Sequence, residues 1–228
     1  MRIDVLTVFP EMFSALDSGV LGKALHKSCL TVNVWNIRDY STDKHRRTDD
    51  YPFGGGLGMI MTCQPIYDCI NSIDPCHKAK RIYMSPRGRT FNHEISLELA
   101  SEEWLILLCG SYEGIDERII ELCIDEEMSI GDYVLTGGEL PAMIIVNAVS
   151  RHIEGVLGTK ESDEDESFAT GLLEYPQYTR PSEFMGLQVP EVLLNGNHAK
   201  IDEWRMNRSL EITAQRRPDL YQKYKEKK

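Results

Sequence analysis

The chain has 228 residues, 42% apolar and 27% charged, with a formal net charge of −11 at neutral pH. That length allows one large domain or a domain with an appendage, and that apolar content can bury a real core. The acidic balance argues against indiscriminate nucleic-acid binding, no run approaches the ~18 apolar residues of a membrane span, and six cysteines without a C-x-x-C pair point to reduced thiols in a cytosolic protein.

Met1-Arg2-Ile3-Asp4 leads straight into a strand pattern, so no leader peptide is expected. Residues 2–9 read as a short buried strand, and Pro10 starts a helix-like segment to about Lys27. Residues 30–37 alternate apolar and polar side chains, which predicts a second strand. Residues 39–61 have no periodicity; Pro52 and Gly54-Gly55-Gly56-Leu57-Gly58 make them a long loop. A helix with Pro65 in its first turn is predicted over 64–73, a third strand over 81–85 and a helix over 92–103. Residues 104–109 are almost continuously apolar, as expected of a strand covered on both faces. A helix over 115–123, a loop-strand over 130–135 and a helix over 138–152 complete the first part.

Strands alternating with helices predict an α/β fold with a parallel sheet. After Gly155 the pattern changes. Residues 160–166 are too polar to bury themselves and read as a linker. From Ser182 onward short helical segments predominate, ending in a basic tail at 223–228, and no internal repeat is visible. Charge divides along the same line. Residues 1–170 carry 15 Lys and Arg against 28 Asp and Glu (−13), whereas residues 171–228 carry 10 against 8 (+2). The tail is the better electrostatic partner for a polyanion.

Two glycine-bearing loops stand out, each following an apolar run and opening into a helical pattern: Cys109-Gly110-Ser111-Tyr112-Glu113-Gly114-Ile115-Asp116 and Ile130-Gly131-Asp132-Tyr133-Val134-Leu135-Thr136-Gly137-Gly138. Glycines there remove Cβ atoms where backbone must come close to something. Glu113, Asp116 and Asp132 crowd the same loops, so a cationic or sugar-bearing ligand suits them better than a phosphate. The triple-glycine loop at 54–58 lacks the Lys-Ser/Thr of a nucleotide P-loop, and four glycines in five residues suggest close approach to a ligand. Lys44-His45-Arg46-Arg47, just upstream, suits nucleic-acid phosphate. Val8-Phe9-Pro10-Glu11 stands in the first βα turn in place of Gly-x-Gly-x-x-Gly, which disfavours an ordinary Rossmann site. No nucleophile elbow and no metal-ligand spacing of Cys or His occurs, and no histidine is given a catalytic role.

Taken together, the motifs resemble the bacterial tRNA (guanine-N1)-methyltransferase family over nearly the whole chain. They include Phe9-Pro10-Glu11-Met12-Phe13, Asp49-Asp50-x-Pro52-Phe53-Gly54-Gly55-Gly56-x-Gly58-Met59, Tyr83-Met84-Ser85-Pro86-x-Gly88, the two loops above, Gly155-Val156-Leu157-Gly158 and Val192-Leu193-Leu194-x-Gly196-Asn197-His198. The resemblance implies a SPOUT-type α/β fold: a parallel sheet with a deep trefoil knot, plus a small helical C-terminal domain. Its boundaries would be a knotted S-adenosylmethionine-binding domain over 1–157, a flexible linker over 158–170 and a tRNA-binding domain over 171–228. It implies a homodimer whose active sites are shared between subunits, and methylation of N1 of guanosine 37 of tRNA.

By the same resemblance the cofactor lies against Tyr83, Met84, Ser85 and Pro86, with Gly110 leaving it room and Tyr112 and Glu113 beside it. Ile130, Gly131, Asp132, Tyr133, Val134 and Leu135 form the facing wall, closed by Gly137, Gly138 and Pro141. Lys44, Arg46, Arg47, Asp49, Gly58 and His198 would meet tRNA. Arg151 would stabilise charge on guanine O6. The catalytic base is Glu166, which stands where the family has aspartate, or Asp165 one residue earlier. The family's use of Mg²⁺ makes Glu113 and Asp116 plausible oxygen donors. Two other readings stay open: a knotted methyltransferase acting on another RNA base, and a non-catalytic RNA-binding protein.

Overall fold

A computed structural model describes residues 1–157 and 166–227. The chain divides into two compact units, Met1–Thr159 and Lys160–Lys228. In the first, β1 (Arg2–Thr7) is followed by a 3-10 helix (Pro10–Asp17), α1 (Gly19–His26), β2 (Thr31–Asn36) and a second 3-10 helix (Ile37–Tyr40). The short β3 (Asp49–Asp50) and β4 (Ile60–Met61) precede α2 (Cys63–Ile73) and β5 (Lys80–Thr90). Then come α3 (His93–Ala100), β6 (Trp104–Cys109), α4 (Glu117–Cys123), β7 (Glu126–Ser129) and α5 (Glu139–Ser150).

The main sheet has the order β2-β1-β6-β5-β7, and each neighbouring pair is parallel. Side chains alternate across it, so each face has its own apolar layer. Ile3, Val5, Leu105, Leu107 and Cys109 pack with Ile95 and Leu99 of α3 and with Ala142, Ile145, Val146 and Val149 of α5. Leu6, Ile106 and Leu108 turn the other way, onto Ile66 and Ile70 of α2 and Ile119 and Cys123 of α4. The continuous apolar run of β6 thus has a physical reason: Leu105 to Cys109 are fully buried between two helical layers.

The structure corrects several local readings. The segment after Pro10 is broken at Ser18, whose extended backbone (ψ 157°) separates a 3-10 helix from α1. The strand read at 81–85 runs to Thr90, with its register to β7 shifting between Met84 and Arg89; residues 85–88 bulge out of the ladder. The expected loop-strand over 130–135 is loop throughout, and the strand lies earlier, at Glu126–Ser129. Glu126 and Glu127 conceal it, since they break the apolar alternation that marks a strand.

In the second unit, β8 (Glu183–Phe184) and β9 (Leu187–Gln188) form a hairpin, followed by a 3-10 turn (Glu191–Leu193), α6 (His198–Arg216) and α7 (Pro218–Glu226). Met185 and Gly186 both have positive φ (51° and 80°), as a two-residue hairpin turn requires. That hairpin, and a 19-residue α6, replace the short helical segments read from sequence. The core is thin: among the described residues of this unit only Leu172, Ser209 and Thr213 are buried. The Leu173 N–H donates to Thr213 Oγ1 (2.9 Å), which itself donates to the Ser209 carbonyl (2.6 Å). Arg205 stacks over the Tyr175 ring at 4.8 Å.

Candidate active site

A bulge within β5 and the segments that leave the C-terminal ends of β6 and β7 line a cavity of about 440 Å³. In parallel α/β sheets this is where ligands bind, because the loops there face a common crevice. Tyr83, Met84, Ser85 and Pro86 supply one wall, where β5 bulges out. Gly110, Tyr112 and Glu113 come from the turn after β6. Ile130, Gly131, Tyr133, Val134, Leu135, Gly137 and Gly138 come from the loop after β7, and Pro141 from the first turn of α5. Of the cofactor residues expected from sequence, Asp132 alone is not part of the lining; it is exposed.

Backbone contacts join these loops. The Gly138 N–H donates to the Gly110 carbonyl (2.8 Å), and Ser111 and Gly137 form an antiparallel bridge. A Cβ on Gly138 would lie 2.8 Å from Cys109 Cα and 2.9 Å from Gly110 N, so glycine is required for this approach. The reason for Gly110 differs from the one expected. A Cβ there would meet the Tyr83 hydroxyl at 2.7 Å; the missing side chain makes room for a protein ring. Burial pushes the Tyr83 phenol up to about 12, so it stays protonated at neutral pH.

The long loop of residues 39–61 is tied to the same place. The Glu113 N–H donates to the Met59 carbonyl (3.0 Å), Met61 N–H to Gly114 (2.9 Å) and Asp116 N–H to Met61 (3.0 Å). Gly58 sits directly against Glu113, whose Cγ would lie 2.5 Å from an added Cβ. Gly54 and Gly55 face open space and hold left-handed φ values of 85° and 80°; backbone conformation accounts for them within this chain. Phe53 and Leu57 beside them are almost wholly exposed.

Sequence reading missed several lining residues. Arg87 and Glu117 stand at the cavity and pair at 3.1 Å across 30 positions, a partnership no local pattern reveals. Ser111, Ile120 and Thr136 also line it. Arg38 Nη2 donates to the Tyr112 hydroxyl at 3.3 Å, and Tyr112 itself holds a left-handed φ of 58°, uncommon outside glycine. Beneath the cavity, Glu139 is buried and accepts a hydrogen bond from Thr7 Oγ1 at 2.7 Å. Burial, with the Glu139 charge added, pushes the Cys109 thiol well up.

The other expected functional residues fall elsewhere. Arg46 pairs with Asp39 and Arg47 with Asp43, each at 3.0 Å and exposed, while Lys44 is exposed. The Arg47 hydrogen bond holds the Asp43 carboxyl well below the usual carboxylate range. Asp49 pairs with Met61 in the β3–β4 ladder. Arg151 forms the C-cap of α5, where a cation complements the helix dipole. His198 begins α6 in the second unit. Glu166 also belongs to that unit, its carbonyl accepting from the Ala169 N–H at 3.2 Å. Asp165 lies outside the described residues. Asp116 is held by Arg118 through bonds of 2.9 and 2.7 Å, which lower its carboxyl well below the usual range. Among the described residues, no three or more His, Cys, Asp or Glu gather to hold a metal, so the donor set does not fit a dedicated Mg²⁺ cage. No helix among them is long and apolar enough to cross a membrane.

Comparison with known proteins places the chain in a family. Residues 1–223 match the family model described as tRNA (Guanine-1)-methyltransferase TrmD. The chain is 58% identical to the tRNA (guanine-N(1)-)-methyltransferase of Ruminiclostridium cellulolyticum strain H10, over 98% of this chain and 97% of that protein. It is 56% identical to the Clostridium botulinum strain Hall protein of the same name, covering 99% and 93%. With that of Clostridioides difficile strain 630 it shares 54% over the whole of both. The chain belongs to the tRNA (guanine-1)-methyltransferase family.

Proposed function

We propose that this family member transfers a methyl group from S-adenosylmethionine to N1 of guanosine 37 of tRNA, on the 3′ side of the anticodon. The cavity at the β5 bulge and the ends of β6 and β7 carries the reading. Its volume of about 440 Å³ suits a nucleoside-sized ligand, and its lining combines apolar side chains (Met84, Pro86, Ile130, Val134, Leu135) with glycine-bearing loops, which can hold an adenine face and leave backbone groups for its edge. With Glu117 offset by Arg87, Glu113 leaves the cavity lining net negative, which favours a positively charged group over a phosphate. When bound, S-adenosylmethionine supplies an electrophilic methyl group on a sulfonium.

In this reading Tyr83, Met84, Ser85 and Pro86 flank the adenine opposite Ile130 to Leu135, and Glu113 faces the positive end. The chain's own residues must then prepare the guanine. N1 of neutral guanine carries a proton and is a poor nucleophile. Glu166, or Asp165 beside it, removes that proton, a step worth ~10²–10⁴-fold. Arg151 donates to O6 as negative charge spreads onto it. The base leaves its stack at a cost of a few kcal/mol. Lys44, Arg46, Arg47, Asp49, Gly58 and His198 form the tRNA surface.

The proposal includes the deep trefoil knot, the domain limits of 1–157 and 171–228, a cytoplasmic location, and a homodimer whose linkers complete each other's sites. Leu140 and Ile144, one turn apart on α5 and 49% and 46% exposed, support a partner on that helix. Incubation with labelled S-adenosylmethionine and unmodified tRNA transcripts, then nucleoside analysis, tests the reaction. The expected product is 1-methylguanosine, lost when guanosine 37 is replaced by adenosine. Label on another base would move the target, and absence of transfer by a protein that binds the cofactor would leave an RNA-binding protein.

A further inference from the structure

Glu139 is a buried acid that the reaction above does not use. It is 3% exposed, and its hydrogen-bond partner is the fully buried Thr7 at the C-terminal end of β1, 132 positions away. The Thr7 hydroxyl spends its proton on Glu139 Oε1 (2.7 Å) and accepts the Phe9 N–H at 2.9 Å, so its orientation is fixed from both sides. Oε2 of Glu139 lies only 2.4 Å from where a Cβ of Gly137 would stand, so the carboxylate rests directly beneath that residue. Gly137 in turn bridges Ser111, and Gly138 donates to Gly110. Neither Thr7 nor Glu139 lines the cavity. Stability does not explain a carboxylate here, because a well-packed apolar residue at a buried polar site is often neutral or stabilising. What the pair does is fix the corner where two cavity walls meet to the end of a central strand.

We infer that Glu139, oriented by Thr7, is a positioning residue for the cofactor cavity, setting the Gly137–Gly138 turn against Gly110–Ser111. The inference rests on the reading that this cavity takes S-adenosylmethionine. Calorimetric titration with S-adenosylmethionine, alongside melting, tRNA binding and steady-state kinetics, tests it on wild type, Thr7→Ser, Thr7→Val and Glu139→Gln. Thr7→Ser keeps the hydroxyl and should bind like wild type. Thr7→Val should bind about tenfold more weakly, as expected for one buried hydrogen bond, whereas Glu139→Gln, whose amide oxygen still accepts from Thr7, should lose less. KM for the cofactor should rise while kcat and tRNA affinity stay near wild type, because the loss is in cofactor binding alone. Unchanged cofactor affinity in Thr7→Val would overturn the inference. So would a loss shared with tRNA binding that Thr7→Ser fails to restore, which marks general destabilisation. If Glu139→Gln does not fold, the two Thr7 variants decide. Failure of the wild-type protein to bind S-adenosylmethionine would instead refute the cofactor reading.

Discussion

Gly138→Ala isolates the close approach between the two cavity loops. Gly138 has φ −83°, so alanine meets no backbone conflict and only space is tested. The added Cβ would stand 2.8 Å from Cys109 Cα, 2.9 Å from Gly110 N and 3.1 Å from Met84 Cβ. Non-bonded carbons settle at about 3.5–4.0 Å, so the loops must part by roughly 0.7–1 Å. Two of the three obstacles are backbone atoms of a buried strand end and cannot rotate away. The same movement stretches the 2.8 Å bond from Gly138 N–H to the Gly110 carbonyl beyond hydrogen-bonding range. Overpacking costs about 1–3 kcal/mol and the lost bond about 1 kcal/mol. A total near 2–4 kcal/mol should lower the melting temperature by about 5–10 °C in a chain of this size. Scanning calorimetry gives the shift, and titration with S-adenosylmethionine should show weaker binding by the surviving fold. A melting point and cofactor affinity both equal to wild type would refute the claim that backbone contact sets the cavity's shape.

Three further outcomes are expected. Arg46→Ala/Arg47→Ala should weaken tRNA binding and reduce its salt dependence, each lost phosphate contact lowering the slope by roughly 0.7–0.9; an unchanged slope places tRNA elsewhere. Glu166→Gln should lower kcat by about 10²-fold with cofactor binding intact and Glu166→Asp should retain activity, whereas collapse of Asp165→Asn alone would assign the base to Asp165. Burial raises the Asp74 carboxyl, but the Lys78 and Ala79 N–H groups and Arg81 outweigh it and leave it below its usual value. A depressed folded-state value gives stability that is present above about pH 4 and is lost as pH falls through the lowered value. Asp74→Asn should therefore flatten the acid limb of the melting-temperature curve while destabilising at neutral pH, because Arg81 stays buried without its partner; parallel acid limbs would contradict this.

Much of the sheet was legible because its signals are local. The apolar run of β6 and the alternation of β2 are properties of six neighbouring residues each. Strand β7 failed that test, since Glu126 and Glu127 put charges at strand positions, held there by Lys80 and Arg89 and by Arg87 rather than by apolar neighbours. The length of β5 was hidden for another reason: Ser85 to Gly88 interrupt the ladder before Arg89 and Thr90 rejoin it. The hairpin of β8 and β9 turned on Met185 at positive φ, a conformation its residue type does not announce. At the site, glycine spacing identified the loops correctly as places of close approach. It could not say what approaches. Tyr83 fills the space at Gly110, Cys109 and Gly110 fill that at Gly138, and Glu113 fills that at Gly58.

That distinction changes what the glycines are for. If they served to admit a ligand, each could be replaced with loss of binding alone. Here the contacts at Gly110 and Gly138 are between parts of the protein, so substitution strains the walls before any ligand arrives. The same stitching extends outward. Met59 and Met61 are bonded to Glu113, Gly114 and Asp116, so the exit of the 39–61 loop shares its backbone with the cavity rim. Arg46 and Arg47 sit further back on that loop, in exposed pairs whose carboxylates a phosphate can replace in a screened medium. In the proposed reading, a tRNA that took Arg47 from Asp43 would act on the same loop whose exit is hydrogen-bonded to the cavity rim. If tRNA and cofactor bind as proposed, three backbone bonds link the exit of this loop to the cavity rim, and any coupling between the two affinities must by linkage be equal in both directions.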